Sequence, residues 1–290
     1  MSLPMKLGNV LGYGVLLGGV LFLADAAWTA RPARAEQPQD WMLASGKPGN
    51  YVNVDVAFGG LGASLEKRIN IFGGANTLTL RAGALAAIPY GNTQVDADLR
   101  IVILNLGVSA GAQDIWINQT FAEGEVQNRK QRRAREAAGD FDTQGVGFVE
   151  GRAGLVLPFN DYLLFNNVNS FRLSSADDRT FDYQTGVVHD GNYLRSEFQL
   201  FAKHKDWGGL APVLQLLNFP LEGKRRTQVN FGFLYLSRAG LVQRDDLILF
   251  QMLFHAGDAL GGYDNSDVYG LATLRGPITF TLAYRSVIRL

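Results

Sequence analysis

Hydrophobic and polar residues alternate with a period of two along most of the chain from residue 50 onward. In the run 76–88, for example, Leu78 and Leu80 alternate with Thr79 and Arg81. The same alternation recurs in the runs 51–58, 95–104, 194–203, 226–235, 248–255 and 279–290. Successive side chains of a β-strand point to opposite faces, so this period predicts strands with one apolar and one polar face. We therefore predict an all-β protein.

Strand length and spacing narrow the architecture. Turn sequences such as Gly73-Gly74 and Asp190-Gly191 separate the runs. Several runs exceed the usual strand of about 5–6 residues and reach the roughly 9–11 residues of a membrane-spanning strand. At about 21 residues for each strand and its connection, the chain after residue 35 holds about 12 strands, with a range of about 10–14. Two places leave the number open: 95–121 forms one long strand or two, and 180–188 is short.

The first 35 residues have the features of a secretory signal peptide. Lys6 precedes an apolar stretch that ends near Ala27, and Ala33 and Ala35 place small residues where signal peptidase requires them. We predict cleavage after Ala35. The alternative is an uncleaved anchor helix, because the apolar stretch approaches the roughly 20 residues that span a bilayer. The predicted organisation is a signal peptide over 1–35, a periplasmic segment over 36–49 and a β-barrel over 50–290 with a long basic extracellular loop near 124–142.

Composition excludes several classes of protein. The chain has 27 basic and 27 acidic residues and a formal net charge of zero, which argues against a nucleic-acid partner. It has no cysteine, which excludes disulfide frameworks, thiol catalysis and thiolate metal sites. A mean hydropathy of +0.01 is too low for a bundle of membrane helices. We expect no cofactor and no metal.

The class depends on which side of the sheet is apolar. A soluble sandwich or lipocalin-like barrel buries its apolar face, whereas a membrane barrel turns that face outward and keeps a polar lumen. Opposite charges share the polar faces, as at Arg195 and Glu197, which suits a lumen where charges pair. Aromatic residues gather near the predicted strand ends, as in an interfacial girdle: Tyr51, Trp116, Phe121, Phe159, Tyr162, Trp207, Tyr263 and Tyr269. We therefore favour the membrane barrel over the soluble alternative.

With a signal peptide, about a dozen alternating strands and a last strand that ends at the C-terminus, the chain resembles the outer-membrane β-barrel proteins of Gram-negative bacteria. The last strand alternates through Leu282, Tyr284, Ile288 and Leu290; Ser286 interrupts it, and Leu290 stands where that family usually ends in an aromatic residue. The resemblance implies a closed antiparallel transmembrane barrel in the bacterial outer membrane. It also implies contact with outer-membrane lipid and lipopolysaccharide.

The polar faces supply the candidate functional residues, which we expect to face the lumen. They are Asp55, Arg81, Asp96, Asp98, Arg100, Glu150, Arg152, Arg195, Glu197, Lys203, Arg226 and Gln251. In a barrel of about 12 strands such charges either set the selectivity of a narrow porin-like channel for small hydrophilic solutes or close the lumen by pairing. The alternative function is a non-conducting barrel that anchors an envelope-spanning complex for export, adhesion or surface motility, with other envelope proteins as partners.

One basic segment interrupts the β pattern. Its basic residues are Arg129, Lys130, Arg132, Arg133 and Arg135, and its composition favours helix. One interpretation is a contact for lipopolysaccharide phosphates, a partner protein or an anionic solute; the other is a solvated loop whose charge only keeps it hydrated.

Enzymatic chemistry has few candidates. The three histidines, His189, His204 and His255, lie far apart in sequence, and neither metal-ligand spacing nor a motif of the barrel enzymes is recognisable. Ser174 and Ser175 are near enough to His189 in sequence for a nucleophile and base, but no spacing requires it. We predict no catalytic residues and no enzymatic activity.

Overall fold

A computed structural model describes the chain from residue 48 to residue 290, with gaps. The described residues are 48–57, 60–71, 76–87, 90–118, 138, 142–176, 180–182, 187–204, 208–221, 223–238, 246–256 and 278–290. The predicted signal peptide, most of the predicted periplasmic segment and the five basic loop residues lie outside them.

Twelve strands of the described part of the chain form one closed antiparallel barrel, and two short ones form a separate hairpin. The strands are β1 (Gly49–Ala57), β2 (Gly60–Asn70), β3 (Thr77–Ala87), β4 (Tyr90–Ile101), β5 (Leu104–Asn118), β6 (Asp142–Pro158), β7 (Leu163–Ser174), β8 (Thr180–Asp182), β9 (Val187–His189), β10 (Tyr193–His204), β11 (Gly208–Leu221), β12 (Lys224–Arg238), β13 (Leu247–Ala256) and β14 (Ile278–Arg289). The predicted closed barrel of about 12 strands is confirmed. Among the described residues, no helix has the length and apolar character needed to cross a bilayer.

Each barrel strand pairs with its neighbours in the chain, except that β10 pairs with β7 across the β8–β9 hairpin. The barrel closes where β1 pairs with β14, with Tyr51 opposite Arg289 and Asp55 opposite Arg285. The two open places are now settled: 95–121 contains two strands, β4 and β5, and the short run 180–188 contributes to the hairpin rather than to the wall. We call the end where β1 begins and β14 ends the terminal end, and the opposite end the hairpin end.

The apolar face of the sheet points outward. Leu65 is 63% exposed and Val95 is 55% exposed on the outside of the barrel, whereas Asn53 and Asn230 on the inside are 0% exposed. A soluble β-protein shows the reverse, because its apolar face forms the core. The outward apolar band therefore fits an apolar surrounding.

The aromatic residues near the strand ends do not all belong to one group. Phe159 and Tyr162 are 62% and 71% exposed in the turn between β6 and β7. Tyr51, in contrast, lies inside the barrel, where the guanidinium carbon of Arg68 is 4.2 Å from its ring centroid. Tyr51 is therefore a lumen residue and not part of an interfacial girdle. The placement of the other predicted girdle aromatics lies outside the described side chains.

Gly232 in β12 is a point where the wall tolerates no side chain. A Cβ atom there would lie 1.9 Å from the backbone oxygen of Met252, so Gly232→Ala must shift the β12–β13 pairing. We expect this variant to lose about 1–3 kcal/mol of stability, as overpacked sites do, and to unfold at a lower temperature in detergent micelles, followed by heat-modifiable gel mobility.

Gly151 in β6 provides the matched control, because a Cβ there would meet no atom within 4 Å. Measured on the barrel monomer in detergent micelles, Gly151→Ala should leave the unfolding temperature unchanged or raise it slightly, since alanine restricts the unfolded chain more than glycine does. Equal unfolding temperatures for Gly232→Ala and the unmodified protein would contradict the assigned β12–β13 geometry.

Candidate functional site

The structure places all twelve predicted lumen residues at inward positions of the barrel strands. The alternation of exposure and the cross-strand register assign them to the same side as the buried Asn53, Ser109 and Gln215. Their surroundings differ around the barrel. The wall from β2 to β7 carries ion pairs, the wall from β7 to β12 carries a band of amides, and an open cavity lies beside β1.

Ion pairs connect inward side chains across the wall from β2 to β6. Glu66 accepts hydrogen bonds from Arg68 and, at 3.3 Å, from Arg81, and it also accepts one from Asn53 at 3.1 Å. Further along, Nη2 of Arg152 lies 3.2 Å from Asp96 and 3.0 Å from Asp98. Four predicted lumen residues, Arg81, Asp96, Asp98 and Arg152, therefore lie in ion pairs, whose attraction offsets part of the cost of desolvating the charges.

Arg172 of β7 is the most enclosed cation of this group. Its guanidinium lies 2.9 Å from Glu150 and 3.3 Å from Asp182, and it stacks on the ring of Phe148 at 4.2 Å. The hydroxyl of Tyr193 donates to the same Asp182 carboxylate at 2.8 Å. Because Asp182 is the last residue of β8, these contacts fasten the β8–β9 hairpin to the inner wall.

Other contacts hold the same hairpin at the hairpin end of the lumen. Thr180 donates to the side-chain oxygen of Gln144 at 2.9 Å, and the backbone N–H of Asp190 donates to the carbonyl of Pro220 at 2.9 Å. His189 is 2% exposed and meets Tyr193 edge-on, with ring centroids 5.1 Å apart. The hairpin thus contacts both β6 and β11 and narrows this end of the barrel.

Apolar side chains fill part of the lumen nearer the terminal end. Inward residues of β6, β7 and β10–β13 form one cluster: Val156, Leu164, Phe201, Ala211, Val213, Leu234 and Leu253. Inward apolar residues that exclude water leave less room for a solute. On this side of the barrel, the lumen is therefore packed rather than open.

A band of amide side chains lies next to that cluster, on its side toward the hairpin end. Gln228 donates to Asn230 at 2.7 Å, Asn230 donates to Gln215 at 2.7 Å, and Gln215 donates to Glu197 at 2.9 Å. Gln199 also donates to Glu197 and accepts from Asn166 at 2.9 Å. This chain of hydrogen bonds orders the inward side chains of β7 and β10–β12 around one predicted lumen residue, Glu197.

A polar cavity of about 190 Å³ lies along the other wall, beside β14 and β1–β4. Its polar lining residues are Asp55, Ser64, Arg81, Asn92, Gln94, Asp96 and Arg285. The guanidinium of Arg285 binds both carboxylate oxygens of Asp55. Among the described residues, Oδ1 of the buried Asn92 has no hydrogen-bond partner. A hydrated solute in this cavity would therefore meet the guanidinium groups of Arg81 and Arg285 and the acceptor Oδ1 of Asn92.

Inward cations also gather where the strands reach the terminal end. Arg68, Arg100, Lys203 and Arg238 each lie within three residues of the end of their strand. Among the described residues, Nε of Arg100 and Nζ of Lys203 have no hydrogen-bond partner. The charges of Arg100 and Lys203 are therefore only partly neutralised by neighbouring groups of the described residues.

Among the described residues, no hydrogen bond joins His189 to Ser174 or Ser175, the pair that the sequence raised as a nucleophile and base. The hydroxyl oxygens of Ser174 and Ser175 accept backbone N–H groups of Ala176 and Gly147, at 3.1 and 2.8 Å. The described residues contain no group of three acidic or histidine side chains placed to hold a metal ion. The side chain of His255 lies outside the described set.

Several site residues escape the sequence analysis. Arg172, Tyr193 and Asp182 form the anchor of the hairpin, and Arg285 lines the cavity. The alternation of the last strand could have predicted that Arg285 faces the lumen, since Arg285 lies on its polar face. The sequence predicts little for Arg172, because the outward Asn167 and Asn169 interrupt the alternation of β7.

Comparison with known proteins gives likenesses of fold. No family model matches the sequence, and the search of curated proteins gives no match. Among solved structures, the NanC porin is similar over 83% of this chain and 99% of its own, with 10% identity and a TM-score of 0.36. The KdgM porin is similar over 83% and 98%, with 8% identity and a TM-score of 0.36. LpxR from Salmonella typhimurium is similar over 83% and 100%, with 9% identity and a TM-score of 0.37.

With identities of 10, 8 and 9%, these likenesses concern the fold alone. The geometry of the wall itself is the stronger finding: twelve described strands close antiparallel, with apolar residues outside and paired polar residues inside. This is the architecture of the outer-membrane β-barrel proteins, and the resemblance predicted from the sequence is confirmed at that level.

Proposed function

We propose that the protein is a narrow channel of the bacterial outer membrane that passes small hydrophilic solutes and prefers anions. The observation that carries this proposal is the polar cavity beside β14 and β1–β4. It lies on the inner side of strands whose outer face is apolar. Solutes would pass along this side, because the hairpin and the apolar cluster fill the other. The predicted signal peptide and the predicted contact of the basic loop with lipopolysaccharide belong to the same proposal.

The preference for anions follows from the inward charges of the described strands. The inward bases are Arg68, Arg81, Arg100, Arg152, Arg172, Arg195, Lys203, Lys224, Arg226, Arg238, Arg285 and Arg289. The inward acids of the barrel strands are Asp55, Glu66, Asp96, Asp98, Glu150 and Glu197. Bases outnumber acids, and a lumen of net positive charge attracts anions and repels cations.

Planar-bilayer recording tests the proposal. We expect discrete conductance steps, smaller than those of the 16–18-stranded porins whose lumen is water-filled. In a salt gradient the reversal potential should have the sign of anion-selective permeation. Membrane fractionation with heat-modifiable gel mobility tests the location in the same preparation. Absence of conductance from correctly folded protein would overturn the channel.

A second function is favoured by a specific observation, the filling of the lumen by the hairpin and the apolar cluster. A barrel filled in this way suits an outer-membrane anchor or subunit of an envelope-spanning complex. A folded protein that is silent in bilayers and co-purifies with other envelope proteins would support the anchor. Discrete conductance steps would support the channel.

The docked hairpin should loosen in acid because of His189. Burial lowers the pKa of His189 below its usual value, and the nearby Asp182 carboxylate only partly offsets that shift. A histidine whose pKa is lowered in the docked state stabilises that state above its usual pKa of about 6.5. This stabilisation is lost as the pH falls through the lowered value. We therefore expect channel conductance to rise as the pH falls from about 7.5 to below 6.5.

His189→Asn should remove this acid response, because asparagine stays uncharged and keeps an acceptor for the N–H of Gly191, which donates to Nδ1 of His189 at 3.3 Å. His204→Asn, at the terminal end of β10, is the control and should retain the response. An identical pH profile in both variants would assign the effect to other groups.

A further inference from the structure

Two amide side chains lie on the outer face of the barrel, in the middle of β7. Asn167 and Asn169 share the outward parity of Phe171, which is 46% exposed, whereas Ser170 and Arg172 on the other parity are buried in the lumen. Other outward polar residues, such as Lys67 and Thr227, lie near strand ends, where a bilayer is hydrated. The two amides therefore sit at the depth where the surroundings are most apolar.

Neighbouring strands extend this polar patch and leave it incompletely bonded. Asn169 lies opposite Ser196 of β10, which also faces outward. Asn169 donates to Oδ1 of Asn167 at 2.7 Å, and Asn167 donates to the backbone oxygen of Glu197 at 3.0 Å. Each amide thus donates one of its two N–H groups, while no hydrogen bond to Oδ1 of Asn169 occurs among the described residues. A polar group left unbonded in hydrocarbon is destabilising.

An amide carries both donors and an acceptor, so the same patch on a second copy is complementary to it. A two-fold interface brings identical surfaces together, and polar side chains with small neighbours are typical of contacts between helices within membranes. Strand β6 supplies the small neighbours. Gly151 lies between Val108 and Phe171 in the register, and a Cβ there would meet no atom within 4 Å. The fold itself therefore does not require glycine at this position, which leaves room for a side chain from outside.

We infer that the outward face of β6, β7 and β10 is the interface of a two-fold homodimer in the membrane, with Asn167 and Asn169 of each copy at its polar centre. The inference rests on the membrane location in the proposed function. It does not depend on whether the barrel conducts. The partner is a second copy of this chain, because the amides of one copy can hydrogen-bond with those of the other. The space beside Gly151 can accept a side chain of that copy, so no further partner is needed.

The absence of cysteine from the chain allows a direct test. Asn169→Cys, in purified outer membranes treated with a thiol oxidant, should give a disulfide-linked species of twice the monomer mass. Ala84→Cys, at an exposed outward position of β3, is the control and should remain monomeric. Equal cross-linking of both variants, no cross-linking of Asn169→Cys, or its capture of a different protein would each overturn the inference.

A second measurement does not depend on disulfide geometry. The double variant Asn167→Leu with Asn169→Leu should keep its heat-modifiable barrel but lose the dimer in mild detergent, measured by light scattering coupled to chromatography. Retention of the dimer would overturn the inference. A monomeric protein that still fractionates with the outer membrane overturns only the dimer, whereas a protein absent from that fraction overturns the proposed function as well.

Discussion

Replacing Asp182 with alanine should release the β8–β9 hairpin from the inner wall and raise the single-channel conductance. The Asp182 carboxylate is 1% exposed and binds both Arg172 and Tyr193. Removing one partner of a buried ion pair costs about 3–5 kcal/mol, because the remaining charge stays buried without its counter-charge. Arg172 keeps Glu150, so we expect the lower part of that range, which is still large for so short a hairpin.

Two further variants make this experiment specific. Asp182→Asn keeps an acceptor for the Tyr193 hydroxyl but removes the ion pair, so its conductance should lie between those of Asp182→Ala and the unmodified protein. Asp114→Ala removes an exposed carboxylate from the outer face of β5 near the same end and should change nothing. If Asp182→Ala folds normally and conducts like the unmodified protein, the hairpin is not the element that narrows the lumen.

The sequence predicts the wall well because strand geometry ties parity to sidedness. Once Asp96 was assigned to the polar face, Asp98 and Arg100 had to share it. The structure places all three inside the barrel. Strand β7 is harder to predict, because Asn167 and Asn169 face outward and remove the alternation that marks the other strands.

The hairpin anchor could not be predicted for a different reason. Arg172 meets both Asp182 and Glu150 only because β8 folds back against the inner wall and because β6 and β7 adopt one register. Neither condition leaves a periodic signal in the sequence. The filling of the lumen is equally hidden, since inward Leu234 and Leu253 have the same parity as the polar Gln228 and Gln251.

Reversing the charges of Arg100 and Lys203 should convert the anion preference into a cation preference. Both lie at the terminal end of the lumen, on β4 and β10, and neither Nε of Arg100 nor Nζ of Lys203 has a hydrogen-bond partner among the described residues. Reversing one charge about 8 Å from an ion in water-like surroundings changes the energy of that ion by about 1 kcal/mol. Arg100→Glu combined with Lys203→Glu should therefore shift the anion-to-cation permeability ratio by at least about tenfold at low salt, and by less at high salt.

Lys67→Glu separates this effect from a general change in net charge. Lys67 lies at the same end of the barrel as Arg68 but on the outer face of β2, so its reversal changes the protein's charge without placing an acid in the lumen. The permeability ratio should stay close to that of the unmodified protein. Because Lys203 is 4% exposed, an acid there also tests folding; Lys203→Gln, which only neutralises the charge, should shift the ratio in the same direction by a smaller amount. A double reversal that folds, conducts and keeps its anion preference would show that the cations at the terminal end do not set the selectivity, and that the charges lining the cavity beside β1 must do so instead.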